Sequence, residues 1–341
     1  MTLFLRNWVF VRWKCRLCRQ KKKKSFILNT LYKIKRQIDL YLAWKHTCRP
    51  LGKGDVLFIQ FPMNDKTLLF GHLCWLLRWR GVTIATILHD LESLRYAKRG
   101  DITWRHRLNI RVSEISILKH ASHVVVHNDS MKKRIMQWGV KASHLISLGI
   151  FDYLIPGYDP AKQRGRIDRK LPVVIAGNLR KDKVGYAYSL PKNCFFNLYG
   201  VDFTGRLPPC SHYLGAFSPD ELPYLLEGSF GLVWDGDSEN SCSGIYGEYL
   251  KINNPHKASL YLASGLPLAV WSQSALAGFV RENNVGITID STYELEPKID
   301  SLTDEEYAQM LQNVKKVGKR LRSAYYSRAA IEKCLHAQAR K

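Results

Sequence analysis

Lys257 stands where a helix should begin, and the residues around it suit a bound diphosphate. Phe230–Trp234 is an apolar run that leads into acids and then a polar loop. Pro255 falls at the first helical turn, and His256 and Lys257 follow it. Ala258–Ala263 is a good helix former, Gly265 stops it, and Leu266–Trp271 reads as the next strand. A helix start offers unpaired N–H groups and about half a positive charge, which attract an anion. Lys257 would add a full charge there. Ser259 lies in the same turn and could donate to a phosphate oxygen. Asn253, Asn254 and His256 flank the start; one would serve as N-cap, and another could reach phosphate or sugar.

A second cationic position is Arg180, in Gly177-Asn178-Leu179-Arg180 directly after the strand-like Val173–Ala176. Ligands of doubly wound sheets sit beyond the carboxyl ends of strands, and a guanidinium can fork onto phosphate oxygens. A tight turn with a solvated arginine is the competing reading. Tyr199 ends another strand at the same edge; it could stack on or bond a base or ribose, or serve equally as a core aromatic. Asp235-Gly236-Asp237 has the spacing of a carboxylate pair that holds a divalent ion. Turns favour Asp and Gly anyway, and the nearby cations already neutralise phosphate, so no metal is expected. Sugar or acceptor recognition suits these acids better. Glu239 and Glu248 lie in the same loop and carry no assigned role. His89-Asp90 closes a strand in the first half, with Glu92 and Arg95 following. His123 and His127 read as strand-packing residues.

Strand-like and helix-like segments alternate from residue 55, the pattern of parallel sheets with crossover helices. Strands are expected at Val56–Phe61, Val82–Leu88, His123–His127 and Leu145–Ile150. Helices are expected at Leu68–Trp79, Trp104–His120 and Ser130–Trp138, the last capped by Asn128 or Asp129. Residues 155–171 hold Pro156, Gly157, Pro160 and Gly165 without periodicity and read as a linker. A second set follows, with strands at Val173–Ala176, Phe195–Tyr199, Phe230–Trp234, Leu268–Trp271 and Gly286–Ile289. Its helices are Leu222–Leu226, His256–Ala263 and Leu276–Glu282. Asp304–His336 reads as one long or two shorter helices. The implied plan is a basic segment (1–50), an acceptor domain (51–154), the linker, a nucleotide-binding domain (172–302) and terminal helices (303–341).

The Trp234–Trp271 stretch, with FIQFPM (Phe58–Met63), LHDLESLR (Leu88–Arg95), VVVHN (Val124–Asn128), LGIFDYL (Leu148–Leu154) and IAGNLRKDK (Ile175–Lys183), resembles the bacterial β-1,6-galactofuranosyltransferases of O-antigen synthesis. It is more distantly similar to the glucosyltransferases that extend sugars on streptococcal adhesins. The resemblance spans roughly residues 50–330. It implies a GT-B fold: α/β, two facing Rossmann-like domains with parallel sheets and the donor nucleotide in the C-terminal one. It implies inverting transfer from UDP-galactofuranose to an oligosaccharide acceptor, lipid-linked and reached from the cytoplasmic face of the plasma membrane. In the resembling enzymes an arginine and a helix-start lysine contact UDP; Asn178, Arg180 and Lys257 match that pattern. Inversion needs a base for the acceptor hydroxyl. Asp90 is the first candidate, with Glu92 and Asp237 behind it; a helix cap or a salt bridge is the competing role for Asp90. Related enzymes begin with a strand and a polar loop entering the cleft, whereas residues 1–30 here are rich in Trp and Lys.

The 341 residues suit about two domains, and the net charge of +23 is uneven. Residues 1–50 hold 14 Lys and Arg and one acid, Asp39. Cations interleaved with Trp8, Phe10, Trp13 and Leu17 suit an anionic membrane surface better than a solvated tail or nucleic acid. Apolar runs fall short of the ~20 residues of a membrane span. Met1–Val11 places its apolar stretch before the basic block, the reverse of a signal peptide. The eight cysteines are scattered, with Cys15 and Cys18 an isolated pair, which suits a reducing cytoplasm. A homo-oligomer is compatible with all this. Two other function classes stay open: a UDP-glucose or other hexose transferase, and a non-catalytic nucleotide- or nucleic-acid-binding protein.

Overall fold

The computed structural model describes residues 26–63, 68–95, 100 and 102–339. The Trp-rich stretch of 1–25, on which much of the membrane expectation rests, lies outside them. The chain builds two parallel sheets. The first holds β1 (Val56–Phe61), β2 (Thr83–Leu88), β3 (His123–Val126) and β4 (Leu145–Ser147), in that order. Its helices are α1 (Phe26–Thr47), α2 (Phe70–Trp79), α3 (Glu92–Arg95), α4 (Trp104–His120) and α5 (Asp129–Met136). Asn128 is the N-cap of α5, its side chain accepting from Met131 N–H at 2.9 Å.

The second sheet has six strands in the order β10-β9-β8-β5-β6-β7. These are β5 (Val173–Asn178), β6 (Phe196–Val201), β7 (Ser211–Gly215), β8 (Gly231–Val233), β9 (Leu268–Trp271) and β10 (Gly286–Ile289). The chain winds outward from β5 to β7, returns to lay β8 against the other side of β5, and winds the opposite way. That reversal opens a crevice at the carboxyl ends of β5 and β8, where doubly wound sheets bind ligands. Helices α6 (Leu222–Leu225), α7 (Gly244–Tyr249), α8 (His256–Ala263), α9 (Ala277–Asn283), α10 (Leu295–Asp300) and α11 (Asp304–Arg322) complete this unit. The inner strands β5, β8 and β9 are near-continuous apolar runs, as both faces of a parallel sheet are covered there.

Several elements were not read from the sequence, among them the short helices α3 and α10. β7 is a half-exposed edge strand whose Ser211-His212-Tyr213-Leu214 lacks an apolar run. α7 lies inside what looked like a polar loop. Residues 1–50 read as one basic segment, but Phe26–Thr47 is a 22-residue helix that buries Leu40 and packs Tyr41 and Trp44 on the first core. The terminal region is two helices: after α11, Ala324 takes φ 58° and α12 (Tyr325–Ala339) turns back. Ala330 and Cys334 of α12 bury against Ala85 of β2 and Val125 of β3, so the chain end returns to the first sheet. Asp152 caps it, accepting from the Tyr326 and Ser327 N–H groups at 3.2 and 2.6 Å. Among the described residues no helix is long and apolar enough to cross a membrane.

Candidate active site

A cleft of about 320 Å³ lies where the two units meet. The first contributes Asp90 and Arg95. The second contributes Gly177 and Asn178 from the end of β5, Asp235 just past β8, Tyr246 and Tyr249 from α7, and His256 and Lys257 from the start of α8, with Lys183 between. Gly177 has φ +124° and open space where a Cβ would stand, so a ligand can approach its backbone closely.

Lys257 lines the cleft at the α8 start. It is already paired: Nζ donates to Asp235 Oδ1 at 2.7 Å and to Trp234 O at 2.6 Å. Both side chains are close to nine-tenths buried. The N-cap of α8 is Pro255 and no side chain caps it, which leaves its first N–H groups to a ligand. Asn253 lines the cleft, and its side-chain oxygen is buried without a partner. Lys183, absent from the sequence-derived set, is the second cation here. Burial holds its pKa below the usual lysine value, against the opposing pull of Asp235. In the sequence it sits in a polar Arg-Lys-Asp-Lys run that reads as solvated.

Asp90 faces these cations from the first unit. Its Oδ2 accepts from Arg95 at 2.6 Å. Burial raises its pKa above the ordinary aspartate value, and Arg95, His256 and His89 pull the other way. Behind it the rings of His89, Phe151 and His256 stack, with centroids 5.3 Å and 4.4 Å apart along the series. Burial lowers the pKa of both histidines. His127 packs edge-on against Phe151 and is held down to about 3, chiefly by burial. Tyr249 ties the walls together, its hydroxyl accepting from Leu91 N–H at 2.8 Å.

Several expected site residues lie elsewhere. Tyr199 is a core aromatic: its hydroxyl donates to Leu225 O and accepts from Glu227 N–H, fastening α6 to β6. Ser259 is fully buried in α8 and its hydroxyl has no partner. Asn254 bonds Asn128, His127 and the Gly149 carbonyl, linking the two units rather than facing a ligand. Asp237 is exposed and accepts from Ser243 Oγ. Asp235 is committed to Lys257, so the two aspartates of Asp235-Gly236-Asp237 serve different partners. Glu92 opens α3 outside the cleft lining. Arg180 is half-exposed at the rim, bound to Asp182 and, at 3.3 Å, to the Tyr246 hydroxyl. Asn178 lines the cleft and donates to Asp202 at 2.8 Å. Ser259→Ala is expected to leave stability unchanged or slightly raised, because an unpartnered buried hydroxyl is removed. Thermal unfolding checks this; a clear loss of stability would show that the hydroxyl has a partner.

Two family models match the chain: the glucosyltransferase 3-like N-terminal domain over residues 19–150 and its C-terminal domain over residues 173–334. The chain is similar to the β-1,6-galactofuranosyltransferase WbbI of Escherichia coli strain K12, 34% identical over 84% of this chain and 80% of that protein. It is 24% identical to glucosyltransferase 3 of Streptococcus gordonii, over 82% of this chain and 79% of that one. Among solved structures, the lipopolysaccharide outer core galactosyltransferase WaaB superposes with a TM-score of 0.53 at 12% identity, covering 92% of this chain and 82% of the other. Anabaena Alr3699/HepE, solved with UDP, superposes with a TM-score of 0.50 at 14% identity, over 81% and 77%.

Proposed function

The chain belongs to the glucosyltransferase 3-like family and is a glycosyltransferase of GT-B fold; from that premise we propose that it moves galactofuranose, with inversion, from UDP-galactofuranose to a hydroxyl of a lipid-linked oligosaccharide at the inner face of the plasma membrane. The observation that carries this reading is one cleft with cations on one wall and a carboxylate of raised pKa on the other. Asp90 takes the proton from the acceptor hydroxyl as that oxygen attacks the anomeric carbon. The bond from that carbon to the β-phosphate oxygen breaks, and UDP leaves. Lys257, Lys183 and the N–H groups of α8 stabilise the charge that builds on it. These groups do the work a divalent ion would do, so transfer proceeds without metal. Asn178 and Arg180 hold the nucleotide end from the rim.

The furanose donor is supported by the 34%-identical relative, whose name carries that sugar. A UDP-glucose donor is the second reading, favoured by the description of the matching family models. Both are decided by one assay: purified protein with EDTA, a soluble glycosyl acceptor, and UDP-galactofuranose or UDP-glucose. Transfer from the furanose with EDTA present is the expected result. Transfer from glucose alone moves the protein to the second reading. Transfer only after manganese is added returns Asp235 and Asp237 to a metal role.

A further inference from the structure

α1 carries a stripe of large apolar side chains that the described fold leaves open. Leu31, Ile34, Ile38 and Leu42 recur at three- and four-residue steps, and each is between 48% and 58% exposed. Other positions of α1 hold the helix down. Leu40 is buried, the Tyr41 hydroxyl lies 3.1 Å from His72 Nδ1, and Gln37 accepts from Leu68 N–H at 2.8 Å. The apolar stripe is thus turned outward by contacts that fix the helix on α2.

α2 extends the same surface. Leu68 and Leu69 stand half-exposed beside Gln37. A chain of rings runs from Tyr41 through His72 and Trp75 to Trp79, with successive centroids 6.0, 5.7 and 5.7 Å apart. Trp79 at its end is 79% exposed. Cations share α1 with the stripe: Lys35 and Lys45 fall beside it by helical spacing, Lys33 and Arg36 lie elsewhere on the helix, and the single acid of α1, Asp39, is paired with Lys35 at 3.1 Å. Lys21–Lys24 precede the helix in sequence, with Ser25 between.

We infer that this face of α1 and α2 rests on an anionic lipid surface. Leu31, Ile34, Ile38, Leu42 and the Trp75 and Trp79 rings sit at the boundary of headgroups and acyl chains, with the flanking lysines among the phosphates. The inference rests on the proposed lipid-linked acceptor and names the surface that brings the enzyme to it. Charge selects the occupant. A second copy docked on this face would bring the same cations together, and lysine is depleted from protein interfaces. A nucleic acid would match the lysines and leave the apolar stripe wet.

The test is co-sedimentation of the full chain with vesicles, either phosphatidylglycerol mixed with phosphatidylethanolamine or phosphatidylcholine alone. The wild type is expected to sediment with the anionic vesicles and not with phosphatidylcholine. The Ile34→Ser/Ile38→Ser variant changes only exposed side chains and is expected to bind about ten-fold or more weakly. Its transfer to a water-soluble acceptor should match the wild type, while transfer to a vesicle-embedded acceptor falls. Unchanged vesicle binding by the variant, no binding by the wild type, or a wild-type dimer that the variant dissolves would each overturn the inference. Activity on the soluble acceptor reads the proposed reaction separately, so the two can fail independently.

Discussion

Asp90→Asn is expected to lower kcat by about 10²- to 10⁴-fold while UDP still binds, because it removes a proton acceptor without removing a phosphate contact. The substitution keeps the side chain's shape and an oxygen for Arg95. Two carboxylates line the cleft among the described residues, and Asp235 is occupied by Lys257. Asp90 also has the raised pKa of a base held out of water. A base works when deprotonated, so the acid limb of wild-type kcat/KM should lie above the pH of an ordinary aspartate, and it should vanish in the variant. The same shift has a stability consequence of defined sign. A carboxyl with a raised folded-state pKa binds its proton more tightly in the folded chain. Its contribution to stability is full below the unfolded value and is lost as pH rises through the folded value. Steady-state kinetics followed from acidic to neutral pH read the limb. A variant within about three-fold of wild type would remove Asp90 from the chemistry.

Lys257→Met is expected to do two separable things. Losing the cation beside the leaving diphosphate should lower kcat/KM by about 10²- to 10³-fold, the scale on which one preorganised donor acts. It also leaves Asp235 buried without its partner, and breaking one side of a buried pair costs about 3–5 kcal/mol. The double variant Lys257→Met/Asp235→Asn removes the stranded charge. It should recover most of the stability, measured by denaturant unfolding, and none of the activity. Recovery of both would show that Lys257 serves the fold and that the phosphate contact lies elsewhere. The pairing also gives Asp235 a role other than metal ligation: it holds the Lys257 ammonium at the mouth of β8 before a donor arrives.

The sequence by itself determined most of the elements and their order. Val56–Phe61, Trp104–His120, His256–Ala263, Leu268–Trp271 and Gly286–Ile289 form with the bounds that spacing alone predicts, because apolar periodicity, Pro255 and Gly265 act on the backbone locally. It placed Lys257 at a helix start for the same reason. The tertiary structure decided which way the other side chains turn. Tyr199 reads as a strand end, but β6 runs on to Val201 and the Tyr199 hydroxyl bonds a helix end 26 residues away. Asn254 neighbours the α8 start, yet its partners are residues 105, 126 and 127 positions distant. Ser259 shares the first turn of α8 with Lys257 and points into the core. Lys183 enters the cleft because the chain after β7 returns to set β8 beside β5, an event recorded nowhere near residue 183. Local spacing encodes helix and strand because each residue's backbone preference is set by its neighbours. A site is assembled from strand ends, and which ends meet depends on pairings across the whole sheet, which spacing does not contain.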